Sequence, residues 1–447
     1  MKAPCVSCAG LSAENAAVGS QPFRPIAVVE VELSAAIPAL PADDAGRYGS
    51  VRLFTRLHGH PLGSVDLDAA EDGFSAERCA EAIWASLASE INHHLRADGL
   101  PPLSGLTAAG ISTVGAPRCQ APRRAVLAQA PFASVVVCTK DRPDAVNRVL
   151  ASIAQLDYPN FETIVVDGSA ASETEQLVRD HFPAVRYVRL AGGGVVVGRN
   201  RALHEAKAEM LAYVDDDAVV DRDWLSEHIA GLQQAPNIAC TTGFAIPLEL
   251  VTQAQVWFEE LGAFVEGAQQ RTISLANRPR GSLLPYATGR IGSGVSMAWR
   301  TSALRAIGGF DLALDRLGAE DISAFYDALC AGYAVSFWPA AVVHHEHRRS
   351  YEVLTGQVRS YARGLGAYLA RCLLTRPARI PDFLIRLPVG LIYTFSPRSI
   401  RNNKRSTTFP KEFAGIQRKA LLGGPWAYVK GRRLARSAAY RPFTRKI

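Results

Sequence analysis

From residue 132 onward the apolar positions alternate between two periods. Short, almost unbroken apolar runs occur at 133–139 (ASVVVCT), 161–169 (FETIVVDGS), 185–190 (VRYVRL) and 210–217 (MLAYVDDD). Between them lie segments of helical character, at 144–156 (DAVNRVLASIAQL), 172–182 (SETEQLVRDHF) and 197–209 (VGRNRALHEAKAE). A run that is apolar at every position suits a strand buried on both faces of a parallel sheet. The resulting βαβαβαβ order predicts a doubly wound α/β fold, in which ligands bind beyond the carboxyl ends of the strands. Asp167 and the triplet Asp215, Asp216 and Asp217 fall at such ends.

Upstream, 26–33 (IAVVEVEL) and 51–67 (VRLFTRLHGHPLGSVDL) read as strands, and 75–99 as a helix. In that helix Ile83, Leu87 and Ile91 share one face, Ser75 stands at the N-cap position, and Glu77 and Arg78 occupy the first turn. His93 and His94 near its end are expected to complement the helix dipole. The chain thus divides into a flexible lead-in (1–21), a small N-terminal α/β module (22–114), a Pro/Ala/Arg-rich linker (115–131), a main α/β domain (132–352) and a helical, basic C-terminal region (353–447).

The 447 residues are too many for one ordinary domain, and 48% hydrophobic with 20% charged residues describes a globular chain with ample core. Eight scattered cysteines, several in apolar runs, read as buried thiols in a reducing compartment. Cys5 and Cys8 form a C-x-x-C with no second Cys or His pair nearby, a weak zinc signal. The start lacks the apolar core of a signal peptide. The most apolar segment, 383–395 (FLIRLPVGLIYTF), is too short for a span and carries Arg386. A cytoplasmic protein is expected. The net charge of +7 is uneven: residues 398–447 hold fourteen Lys/Arg against the single acid Glu412, which leaves the rest of the chain acidic. That tail, with the semi-apolar stretch before it, suits the anionic inner face of a membrane. No nucleic-acid recognition motif accompanies the charge, so nucleic acid is not an expected partner.

The glycine-rich 190–202 (LAGGGVVVGRNRA) leads into a helix whose amides could meet an anion. It fits neither G-x-G-x-x-G nor the P-loop pattern, which disfavours a NAD enzyme or a P-loop ATPase. The aspartate triplet says more. Strand alternation would put Asp215 and Asp217 on one side and Asp216 on the other, and paired hard carboxylates suit Mg²⁺ or Mn²⁺ bound with phosphate oxygens. A solvated acidic turn would give the same letters, but not at the end of an apolar strand in a parallel sheet. Alternation likewise groups His345 with His347 and opposes His344.

These runs fall in an order that resembles the family 2 glycosyltransferases, enzymes of GT-A fold that use nucleotide-diphosphate sugars. The resemblance spans about residues 133–350. It is carried by SVVVCTKDRP, TIVVDGS, GRNRAL, AYVDDDAVV, GSGVSMAWRTSALRAIGGFD (292–311), GAEDISAFYDALCAGY (318–333) and VVHHEHRRS (342–350). It implies a GT-A-type, mostly parallel sheet and an inverting, metal-dependent transfer of a sugar to a glycan or lipid-linked acceptor. It further implies Asp217 as a direct ligand of Mn or Mg, with His345 as a further metal or diphosphate contact. Asp215 or Asp216 would hold ribose or sugar, with Asp215 also a candidate metal ligand. Asp167 would accept from the nucleobase, Arg199 would contact base or diphosphate, and Cys138 and Thr139 would line the pocket. Asp321 would be the base that activates the acceptor hydroxyl, with Glu320 beside it. An ordinary acidic helix start would also favour Glu320 and Asp321. Three positions depart from the pattern: Ser296 replaces a common Asn, and Ser323 and Asp327 stand where Asp and Arg are usual. Two other readings compete. One is a metal-dependent hydrolase or nucleotidyltransferase using Asp215, Asp217 and the His345/His347 pair. The other is a non-catalytic module that binds nucleotide sugar or glycan.

Overall fold

The computed structural model describes residues 23–40, 47–70, 73–112, 115–262, 267–278, 281–395 and 405–437. The C-x-x-C of Cys5 and Cys8 lies outside them. The N-terminal segment forms a three-stranded sheet, β1 (Ile26–Glu32), β2 (Ser50–Leu57) and β3 (His60–Asp68), in the order β1-β2-β3. β1 runs parallel to β2, and β2 antiparallel to β3. The long apolar run read at 51–67 is therefore a hairpin, turned at His58 and Gly59, both at positive φ (56° and 84°). Helix α1 (Ala76–Ala97) starts as expected, with the Ser75 side chain accepting from the Arg78 amide. Its buried stripe of Ile83, Leu87, Ile91 and Leu95 covers this sheet.

After α2 (Ala121–Gln129) comes a nine-stranded mixed sheet. Its strands are β4 (Ala133–Thr139), β5 (Phe161–Asp167), β6 (Arg186–Arg189), β7 (Met210–Asp215), β8 (Ala218–Val220), β9 (Ile238–Pro247), β10 (Arg271–Ile273), β11 (Ser296–Arg300) and β12 (Ala334–His345). The order is β10-β12-β9-β11-β7-β4-β5-β6, with β8 on the side of β12. Four neighbouring strands, β7-β4-β5-β6, are parallel throughout. They are linked by α3 (Pro143–Ile153), α4 (Glu173–His181) and α5 (Val195–Glu205). β4 is apolar on both faces because both are covered. Val135 and Val137 pack with Val146 and Val149 of α3, whereas Val136 packs with Ile164, Val196 and Leu203 on the α5 side. The chain leaves β4 toward β5 and β6 on one side and returns to β7 on the other. The carboxyl ends of β4 and β7 therefore flank a topological switch point, where Cys138 pairs with Asp215.

Helices α6 (Trp224–Gln233), α7 (Gln253–Glu260), α8 (Thr301–Ala306) and α9 (Glu320–Cys330) complete the layers around this sheet. Ser296 is a core node: it accepts from Trp224 Nε1 at 2.9 Å and lies 3.0 Å from His228 Nε2. At the C-terminus lie α10 (Tyr351–Thr375), α11 (Ile380–Phe395) and α12 (Phe413–Ser437). None of the described helices is long and apolar enough to cross a membrane. The expected helical, basic region is more than a tail, because α12 docks on α10. A Cβ on Gly366 would meet the Leu421 carbonyl at 2.1 Å, and one on Gly424 would meet the Ala367 nitrogen at 2.4 Å. Arg371 of α10, fully buried, ties the pair to the main domain through Asp311 (2.6 Å) and Asp327 (2.5 Å). Asp327, a departure from the family pattern, thus serves a buried ion pair.

Candidate donor site at the switch point

β7 ends at Asp215, and a tight turn carries Asp216 and Asp217 into β8. Strand alternation therefore does not reach the last two carboxylates, and the expected grouping of Asp215 with Asp217 is corrected. Asp216 and Asp217 instead share Arg142, whose Nη1 stands 3.0 and 3.1 Å from them. Thr139 Oγ1, at the end of β4, donates to Asp216 at 2.8 Å. Asp215 turns the other way, to Arg199 Nη2 at 2.9 Å.

Arg199 is buried, and its guanidinium also donates to Glu320 (2.8 Å) and to the Gly294 carbonyl (2.9 Å). Its side chain orders protein groups, where contact with base or diphosphate was expected. Gly294 is held at both polar atoms, since its amide donates to Asp321 at 2.6 Å. A Cβ there would meet Arg199 at 2.7 Å, so the close approach requires glycine. Glu320 and Asp321 open α9, and Asp321 also accepts from the Ile322 amide at 2.7 Å. Burial pushes the Glu320 carboxyl up to about 7 against the pull of Arg199, with the Asp321 charge adding to the rise.

The environments of the three aspartates separate them. Burial, then the neighbouring Asp217 charge, pushes Asp216 up to about 6 despite Arg142 and Thr139. Asp215 is raised as well, by burial against Arg199 and by the charge of Asp217. Burial also acts on Asp217, but the hydrogen bond and charge of His345, with Arg348 and Arg142, outweigh it and hold that carboxyl below the usual range. Arg348 Nη2 donates to Asp217 at 2.8 Å. Asp217 is the carboxylate kept ionised.

His345 closes the arrangement from the end of β12, with Nε2 3.4 Å from Asp217 Oδ1. Its Nδ1 lies 2.9 Å from His347 Nδ1, and His347 Nε2 lies 2.8 Å from Glu259 of α7. Burial lowers the pKa of His347 despite its bond to Glu259, so it is neutral at neutral pH. A neutral His347 that donates Nε2–H to Glu259 must accept at Nδ1. His345 then donates from its own Nδ1, and its Nε2 faces Asp217 Oδ1. An imidazole lone pair aimed at a carboxylate oxygen needs a proton or a cation between them. A carboxylate and an imidazole at this spacing, with the imidazole oriented by a further carboxylate, fit a divalent cation. Asp217 and His345 are the residues that would hold it.

The remaining expected residues are placed as follows. Asp167 is fully buried and accepts from Tyr187 Oη (2.7 Å) and the Ser169 amide (2.8 Å). Direct contact with a base would require Tyr187 to yield. Cys138 lies 3.1 Å from where a Cβ on Gly198 would stand, and burial pushes its thiol up to about 12. The amides at the start of α5 do meet an anion, but it is the protein's own Asp315, which accepts from Gly194 (2.8 Å) and Val196 (3.1 Å). His344 pairs with Glu30 of β1, away from the site. Arg142, Arg348, Glu259 and Tyr187 were not among the expected site residues, and His347 was expected only as a ligand paired with His345 in the hydrolase reading. Arg142 and Arg348 stand in loops just past a strand end, where no periodicity marks direction.

Residues 134–308 match the model of the family described as Glycosyl transferase family 2. The chain carries a family 2 glycosyltransferase domain. The succinoglycan biosynthesis protein ExoM of Rhizobium meliloti is 29% identical over 223 residues, 46% of this chain and 64% of that protein. The pre-mycofactocin glycosyltransferase of Mycobacterium tuberculosis is 24% identical over 216 residues, 48% of this chain and 43% of that protein. The match therefore spans about half the length of these relatives. Among solved structures, the mannosyltransferase PcManGT of Pyrobaculum calidifontis, in complex with GDP-Man and Mn²⁺, aligns with a TM-score of 0.41 at 19% identity. That alignment covers 69% of this chain and 76% of that one.

Proposed function

We propose that the protein is an inverting, metal-dependent glycosyltransferase that moves a sugar from a nucleotide-diphosphate donor to a glycan or lipid-linked acceptor. The observation that carries this reading is the pairing of Asp217 Oδ1 with His345 Nε2 at 3.4 Å, at the switch point of a family 2 domain. A bound Mg²⁺ or Mn²⁺ supplies positive charge against the diphosphate that leaves. Arg142 and Arg348 add fixed positive charge around the same carboxylate. Arg199 sets Asp215 and Glu320 from behind. Asp321 accepts the proton of the incoming acceptor hydroxyl, and the Gly294 amide orients its carboxylate. A hydrolase or nucleotidyltransferase would use the same cation ligands, but it does not account for the ordered Gly294–Asp321 side of the cleft.

The base assignment is tested with Asp321→Asn. The expected result is a loss of transfer of at least about a hundredfold with nucleotide-diphosphate affinity nearly unchanged, because the base acts in the transition state. A loss under about tenfold would make Asp321 a structural acid of α9. Product of anomeric configuration opposite to the donor's is expected, and retention would refute single displacement.

The reading extends to where the acceptor is met. Leu384, Ile385, Val389 and Ile392 of α11 and Leu422, Trp426, Val429 and Leu434 of α12 are exposed. Lys430 lies over the Trp426 ring, and Arg418, Lys419, Arg432 and Arg433 are on the same helix. Exposed apolar side chains interleaved with basic ones suit an interfacial helix on an anionic leaflet, within reach of a lipid-linked acceptor.

A further inference from the structure

Outside the donor site, four side chains with metal-binding atoms converge beside the N-terminal sheet. His58 comes from the β2–β3 turn, His94 and Asp98 from the end of α1, and Cys119 from the 3-10 turn Arg118–Gln120 of the linker. One donor atom from each lies within 4.8 Å of the others. Asp98 Oδ2 is the hub, at 2.7 Å from His58 Nδ1, 3.2 Å from Cys119 Sγ and 3.3 Å from His94 Nε2. Cys119 Sγ and His58 Nδ1 are 3.9 Å apart. The side chains of His58 and Asp98 are 2% and 1% exposed.

We infer that His58, His94, Asp98 and Cys119 form a structural zinc site that fastens the N-terminal sheet to the linker. Tetrahedral zinc with bonds of about 2.0–2.3 Å needs donor atoms roughly 3.3–3.7 Å apart, and three of the four distances lie close to that range. The fourth, His58 to Asp98, opens by under about 1 Å when an ion replaces the shared proton. Two imidazoles, a thiolate and a carboxylate form a closed set of the kind that suits zinc.

The surroundings favour a ligand. His94 Nε2 is buried with no hydrogen-bond partner, although it faces the hub, and His60 Nε2 beside it is in the same condition. The backbone is built to aim His58 inward: its φ is 56°, and Glu32 accepts from the amides of both His58 (2.9 Å) and Gly59 (2.9 Å). Cys119 is fixed as well. Its amide donates to Asp98 Oδ1 at 2.7 Å, and the neighbouring Gln120 Nε2 donates to the His58 carbonyl at 3.1 Å. α2, which follows at once, is anchored to the main domain by Arg123 through Ser226 and Asp223. An ion here would join a hairpin, a helix end and that linker at one point.

The test uses the full chain, made without a histidine tag in zinc-supplemented medium and desalted before elemental analysis. One equivalent of zinc per chain is expected. Cys5→Ser/Cys8→Ser and Asp217→Asn should retain it, which separates this site from the C-x-x-C and from the donor site. Cys119→Ser/His94→Gln, checked for folding by circular dichroism, should retain less than a tenth. Cobalt added to chelator-treated Cys5→Ser/Cys8→Ser protein should give a thiolate charge-transfer band and intense tetrahedral d–d bands, a readout that does not depend on the double variant folding. Chain that carries no zinc and gives no cobalt band overturns the inference. So does zinc that survives in folded Cys119→Ser/His94→Gln.

Discussion

Asp215, Asp216 and Asp217 are the same residue three times, and the positions of three arginines and a histidine make them different. Arg199 claims the first, Arg142 bridges the second and third, and Arg348 and His345 add to the third alone. The triplet was conspicuous in the sequence, whereas its division of labour was not. Which carboxylate stays charged is decided first by His345 at the end of β12, then by the loop residues Arg348 and Arg142, about one hundred and thirty positions after Asp217 and about seventy-five before it. The expected result is that Asp217→Asn weakens Mn²⁺ binding in the presence of nucleoside diphosphate by at least about a hundredfold. Asp216→Asn should weaken it less than about tenfold, and His347→Phe, which removes the group that orients His345, by about 10–100-fold. Isothermal titration calorimetry measures all three. Equal losses at Asp216 and Asp217 would mean that the cation is held by the pair.

Elements were legible where one physical signal dominated. β4 and β5 followed from β-branched runs buried on both faces, and α1 from its cap and apolar stripe. The strand read through 51–67 proved to be a hairpin, because the turn uses His58 at positive φ beside Gly59, where Asn-Gly would have been the plain signal. The docking of α12 on α10 was not legible, since glycines that permit close backbone approach look the same as glycines that weaken a helix. What α12 leaves outside can be tested. Leu422 and Trp426 are 80% and 66% exposed, so Leu422→Glu/Trp426→Glu should fold with an unchanged melting temperature. Wild type should sediment with vesicles of anionic phospholipid at low salt and release at high salt, and the double variant should lose most of that binding. Equal binding by the two proteins would remove α12 from the interface.

On the scale of the whole molecule, the parallel run β7-β4-β5-β6 and its switch point followed from the order of strands and helices. Contacts between distant segments did not, because sequence patterning reports a residue's own burial and says little about its partner. Asp315 against the amides of the glycine-rich loop, Glu259 behind His347 and the Arg371–Asp327 pair between α10 and α9 are all of this kind. They link elements next to one site, formed by the ends of β4, β7 and β12 and the start of α9. Its proposed purpose is to hold a nucleotide sugar while the diphosphate departs. The most direct test is release of nucleoside diphosphate from a panel of nucleotide sugars by wild type and Asp217→Asn, each with Mn²⁺ or Mg²⁺ and each with chelator. Wild type should release nucleoside diphosphate from at least one donor only when the cation is present, and Asp217→Asn should be slower by at least about a hundredfold. Release that persists in chelator, or that Asp217→Asn supports at the wild-type rate, would contradict the account.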